Sequence, residues 1–136
     1  MKKPELKTKF PLLEEEDHIY NLLIDEGYHS INLGWANFMF VLEHDLHHDG
    51  DKVDGLTEFC SKAIKLELNL SDSDARETII HEIIHCLLES SGLDEKNFDG
   101  HSIFTTNEYL VVALTKQLTV FNALNPGLMP LLMETK

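Results

Sequence analysis

The sequence predicts an α+β fold, a small and mostly antiparallel sheet with helices on one side. Three observations predict it. Ile64, Leu66, Leu68 and Leu70 alternate with Lys65, Glu67 and Asn69, the period-two pattern of a half-buried strand. Residues 72–91 carry apolar side chains at helical spacing, between Ser71 as a cap and Gly92 as a stop. A further apolar run, from about 106 to 124, is closed by Asn125, Pro126 and Gly127. Strands grouped before helices, rather than alternating with them, give α+β.

Residues 11–26 read as a first helix. Pro11 suits its first position, the acidic residues suit its first turn, and Gly27 suits its end. Residues 28–46 are strand-like. Ile31, Leu33 and Trp35 alternate, then Phe38, Phe40 and Leu42 alternate in a new phase, so a bulge or turn is expected near Ala36. Two Asp-Gly pairs follow, at 49–50 and 54–55, and both favour turns. The strand at 64–70 leads into the long helix, where Ser71 caps and Asp74 stands three residues on. At the helical rise that helix spans about 30 Å. Residues 93–104 read as a loop, and Thr105 as a cap for the last helix. No repeat, low-complexity tract or linker interrupts residues 1–136, so one domain is expected.

The chain has 136 residues with 11 basic and 24 acidic ones, a formal charge of −13. Nucleic-acid binders usually carry the opposite sign, so no nucleic-acid partner is expected. No apolar run approaches the length that crosses a bilayer, and the N-terminus has no apolar core of signal-peptide length. No membrane partner and a cytoplasmic location are therefore expected. Two cysteines, Cys60 and Cys86, do not make a disulfide framework, and both are read as thiols.

The long helix contains the sequence Thr78 to Leu88, TIIHEIIHCLL. His81 and His85 are four apart, which stacks two imidazoles on one face. Such a pair supplies two ligands to Zn²⁺. Glu82 sits about 100° round the helix, placed to act as a general base without ligating. With eight histidines and 14 glutamates, a chance match is about a one-in-twenty event, so the helical setting carries the motif. The plainer alternative is a helix whose wet face happens to carry His and Glu.

A catalytic zinc needs a third protein ligand and an open position. Leu88 and Ser91 occupy the places where a metzincin has glycine and histidine, so that form is excluded. Glu108 opens the last helix, and its plain role would be a capping box with Thr105. His101 lies in the preceding loop, where its plain role would be solvation. Spacing alone leaves the two even.

The stretch IKLELNLSDSDARETIIHEIIHCLLESSGL followed by NEYLVVALTKQL resembles small gluzincin-type metallopeptidases. It looks most like short HExxH proteins of phages and prophages, related in layout to the ImmA/IrrE peptidases. The likeness runs over roughly residues 55–125. It implies a minimal zincin-like fold, a zinc cofactor held by His81, His85 and Glu108, and Glu82 as base. Ile84 departs from the ImmA/IrrE pattern, which usually has glycine there, and the 136 residues include no stretch that reads as a sensor or DNA-binding domain. The segment around His101 is similar to SprT-like proteases, which use a third histidine but tend to be basic. Glu108 is favoured as third ligand, with His101 second. His101 and Tyr109 are also readable as hydrogen-bond donors to a reacting carbonyl.

The expected function is a zinc-dependent hydrolase of peptide bonds acting on a protein or peptide. In zincins the substrate lies along a sheet edge, which the strand 63–70 is expected to supply. Two rivals are a protein-binding module with structural zinc, such as a phage inhibitor or decoy, and a hydrolase of other amides. His44 and His48 have i,i+4 spacing within EHDLHHDGD, but a solvated turn explains them better than a second metal site. His18 and His29 are expected to be exposed. Trp35, Phe38 and Phe40 fit sheet packing, and Cys86 fits the core.

Overall fold

A computed structural model describes residues 17–92 and 107–134. Helix α1 is Ile19–Glu26. It starts at Ile19 rather than Pro11 because His18 caps it. The His18 Nδ1 accepts from the Tyr20 N–H at 3.1 Å, and its Nε2 donates to the Leu70 carbonyl at 2.9 Å. Those bonds let the ring sit at 4% exposure, against the solvated position expected for it. Residues 11–16 of the predicted span lie outside the described residues. Gly27 ends α1 at φ +82°, a conformation glycine adopts without Cβ strain.

Strands β1 (Ser30–Asn32) and β2 (Asn37–Glu43) form an antiparallel hairpin. Its turn, around Gly34 and Trp35, accounts for the change of phase in the sequence. Strands β3 (His47–His48) and β4 (Asp51–Lys52) make a separate hairpin around Asp49 and Gly50. Both turn residues have positive φ, 53° and 85°, as a type I′ turn requires. Strands β5 (Gly55–Glu58) and β6 (Ala63–Glu67) pair antiparallel.

The main sheet has the order β1-β2-β6-β5, and β2 runs parallel to β6. The sheet is therefore mixed: two of its three pairings are antiparallel, as expected, and the central one is parallel. The placement of β6 also corrects the expected edge. Residues 63–67 pair on both sides and are central, so the outer strand is β5.

Register sets which side chains face the helices. Phe40 lies opposite Ile64 and Leu42 opposite Leu66, while Thr57 lies opposite Ile64 and Gly55 opposite Leu66. Partnered residues share a face of the sheet. That face carries large apolar groups on β2 and β6, and small ones at Gly55 and Thr57 on β5. Helix α2 (Asp72–Ser90) packs over β5 and β6, and the small residues let it approach β5.

Ser71 caps α2 by accepting from the Asp74 N–H at 3.2 Å, and Asp72 and Asp74 place negative charge at its positive end. Ala75, Ile79, Ile83, Cys86 and Leu87 form its buried stripe. The helices α1, α3 (Asn107–Leu124) and α4 (Leu128–Met133) pack against α2 in turn. Tyr20, Phe38, Ile64, Leu66, Phe121, Leu128 and Leu132 join one buried cluster with that stripe. Burying each large apolar side chain stabilises the fold by roughly 1.5–3 kcal/mol. Among the described residues, no helix is long and apolar enough to cross a membrane.

Three polar links fix the elements in place. The Asn125 amide donates to the Asn32 carbonyl and accepts from the Asn32 N–H, both at 2.8 Å, tying the end of α3 to β1. The Arg76 guanidinium donates to Asp72 at 2.9 Å and to the Leu131 and Leu132 carbonyls, closing the end of α4 onto α2. The buried Glu67 carboxylate accepts from the N–H groups of Leu46 at 2.8 Å, Asn69 at 3.0 Å and Asp45 at 3.4 Å. That last set holds the bend between β2 and β3.

Candidate functional site

His81 and His85 lie on successive turns of α2, on the side away from its apolar stripe. Both are exposed, and their ring centroids are 4.9 Å apart with the planes at 70°. The structure thus brings the two predicted imidazoles together on one face. Nitrogen donors so spaced suit a borderline-soft cation such as Zn²⁺.

Glu82 is in a different position. Its side chain turns toward the sheet and is only 6% exposed. A carboxylate so buried needs donors. The Thr57 hydroxyl supplies one, donating to Glu82 Oε1 at 2.7 Å. Gly55 supplies space. A Cβ there would lie 2.7 Å from Thr78 Cγ2 and 3.1 Å from both Glu82 Cγ and Oε2. Gly55 and Thr57 are two apart on a strand, so both face α2. The sequence marks Gly55 only as half of a turn-forming Asp-Gly pair and does not single out Thr57. Their signal was an alternation of small residues in register with the large ones of β6.

A cavity of about 260 Å³ opens beside this group, lined by Asp54, Gly55, Glu77, Thr78, His81 and Glu82. The buried carboxylate and one exposed imidazole therefore reach the same space. Behind it, Cys86 is fully buried. Burial, reinforced by the Glu82 charge, pushes its thiol up to about 12, while its contact with Thr57 pulls the other way. Cys86 is thus a core residue, as expected. Cys60 is exposed, and neither cysteine is in a disulfide.

Among the described residues, no group of three His, Cys, Asp or Glu side chains forms a complete metal cage. Glu108 belongs to the first turn of α3, which packs on α2, but its side chain lies outside the described residues. So do the side chain of Tyr109, the whole of His101 and the Thr105 cap. His44 and His48 are separately engaged. His44 Nδ1 lies 2.8 Å from the Asn69 amide nitrogen, and His48 Nε2 lies 3.3 Å from Asp49.

Ile84 is 39% exposed, since it shares the outward side of α2 with His81 and His85. One other expectation needs correcting. Trp35 is 53% exposed at the β1–β2 turn, where it donates to Ser90 Oγ at 2.9 Å and leans edge-on to Phe38. No protein-family model matches the chain, and no curated protein or solved structure is detectably similar to it.

Proposed function

We propose that the chain is a zinc-dependent metallopeptidase on a zincin-like scaffold. The observation that carries the reading is the contrast between Glu82 and its neighbours. Two imidazoles stand exposed and adjacent, while the carboxylate between them in sequence is buried, held by Thr57 and open to the same cavity as His81. A solvated helix face gives no reason for that burial.

In this reading His81 and His85 hold the zinc, with Glu108 as third ligand and His101 as the alternative. Zinc held there would polarise the scissile carbonyl and acidify a water. The rest is the work of the chain. Glu82 Oε1 is occupied by the Thr57 hydroxyl, so Oε2 is the oxygen left to take a proton from water in the cavity. The same carboxyl then returns the proton to the leaving amine. The peptide lies extended along β5, the outer strand beside Glu82.

The test is metal analysis of protein purified without added zinc, together with cleavage of a peptide library with and without chelator. One zinc per chain and chelator-sensitive cleavage are expected. Stoichiometric zinc with no cleavage of any peptide would favour the protein-binding module with a structural metal.

A further inference from the structure

We propose that the substrate cleft continues past the candidate active centre into a second cavity, and that together they select a segment carrying a basic residue next to an apolar one. The inference rests on the hydrolase reading for its account of that segment as substrate.

A second cavity, of about 520 Å³, lies between the first half of α2 and the end of α4. Ile80, Leu132 and Met133 give it an apolar lining. Glu77 lines this cavity and also the one that holds His81 and Glu82. Glu77 is thus a side chain that the two linings share. Glu77 is four residues before His81, about 6 Å along the axis, which is less than the span of two residues of an extended chain. A bound segment can fill both cavities with neighbouring side chains.

The charges choose the occupant. Arg76 lines the larger cavity, but its guanidinium is engaged by Asp72 and by the Leu131 and Leu132 carbonyls. Among the described residues, the exposed carboxylates that remain around the two spaces are Glu77, Glu134 and Asp54. They favour Lys or Arg and disfavour an acidic residue. The apolar lining takes Leu, Met or Phe. The exposed Met133 side chain, at 64%, is then covered by the ligand.

The experiment uses the full chain carrying Glu82→Gln, so that turnover does not consume the probe. Fluorescein-labelled decapeptides contain one Lys and one Leu, adjacent or one residue apart, in both orders. Matched controls replace Lys by Glu or Leu by Ala. Fluorescence anisotropy should show at least one Lys–Leu peptide binding about tenfold or more tighter than both of its controls. Glu77→Lys and Met133→Asp change exposed residues and should each weaken that peptide by about tenfold, with circular dichroism unchanged. Equal affinity for test and control peptides, or no effect of either variant, overturns the inference. Selective binding with no cleavage of the same peptides by the wild-type chain overturns the hydrolase reading and leaves a peptide-binding cleft. Cleavage that shows no preference for the Lys–Leu peptides overturns this inference alone.

Discussion

Thr57, on the outer strand of the sheet, donates a 2.7 Å hydrogen bond to Glu82 on the long helix. The contact joins the two elements that define the candidate site. It also engages one of the two carboxylate oxygens, Oε1. Replacing Thr57 by Val keeps the shape and removes the donor. Hydrogen bonds to charged groups contribute about 1.5–3 kcal/mol, so kcat for the best peptide substrate is expected to fall about tenfold or more with KM little changed. Thr57→Ser restores the hydroxyl and should recover most of the loss. Equal rates for the wild type and Thr57→Val would show that the bond does not orient the base.

Glu82→Gln tests the base itself. The amide is isosteric and still accepts from Thr57, so the fold and zinc content should not change. Proton transfer is lost, and a general base contributes about 10²–10⁴ in rate. Steady-state cleavage assays and metal analysis on the same sample give both readouts. Undiminished turnover would remove Glu82 from the mechanism.

Much of this site was legible in the sequence, because its main parts are local. Ser71, the Ile79–Ile83–Leu87 stripe and Gly92 bound one helix, and the helix period alone brings His81 and His85 together. The sheet order was not legible. The parallel pairing of β2 with β6 joins residues 24 apart, and alternation within a strand does not say which neighbour it takes. The strand with the clearest alternation, β6, proved central, while the short β5 became the edge beside it. For the same reason Gly55 reads in the sequence only as a turn residue, and Thr57 does not stand out. Their importance lies in the approach of a helix that their own strand does not encode. The cap at His18 was hidden because its partners, the Tyr20 N–H and the Leu70 carbonyl, are both backbone groups.

Gly55 makes the close approach testable by stability. Alanine there puts a methyl 2.7 Å from Thr78 Cγ2 and 3.1 Å from the Glu82 carboxylate. The contact at 2.7 Å is shorter than real Cβ contacts allow, so β5 and α2 must separate. Overpacking of this kind costs about 1–3 kcal/mol. Urea denaturation of Gly55→Ala should show that loss, and cleavage should fall with it because Glu82 shifts. A variant as stable as the wild type would mean that the strand and helix are not tightly apposed.

The two imidazoles should be required for metal and the hairpin histidines should not. His81→Ala and His85→Ala are each expected to weaken zinc binding a hundredfold or more, beyond the 10–100-fold typical of a residue that only orients a ligand. His44→Ala and His48→Ala should leave affinity unchanged, since those rings are engaged with Asn69 and Asp49. Competition with a chromophoric chelator measures all four. Glu108→Ala and His101→Ala in the same assay identify the third ligand by which one lowers affinity.

Glu67 predicts how the fold responds to acid. Burial alone would raise its carboxyl, but the N–H groups of Asn69, Leu46 and Asp45, with Lys52 3.7 Å away, outweigh burial and hold it below the ordinary glutamate value. A depressed folded-state value means that the ionised form stabilises the native chain. Its contribution is complete at pH 7 and is lost as pH falls from the ordinary glutamate value, about 4.3, through the lower folded one. Glu67→Gln keeps the shape but exchanges two charge-assisted acceptor oxygens for one neutral acceptor and an amine that meets backbone donors. It should lower stability at pH 7 and flatten the decline between about pH 5 and pH 3. Urea denaturation midpoints across that range, for wild type and variant, check the sign. Parallel curves for the two proteins would show that Glu67 is not the group whose protonation loosens the β2–β3 bend.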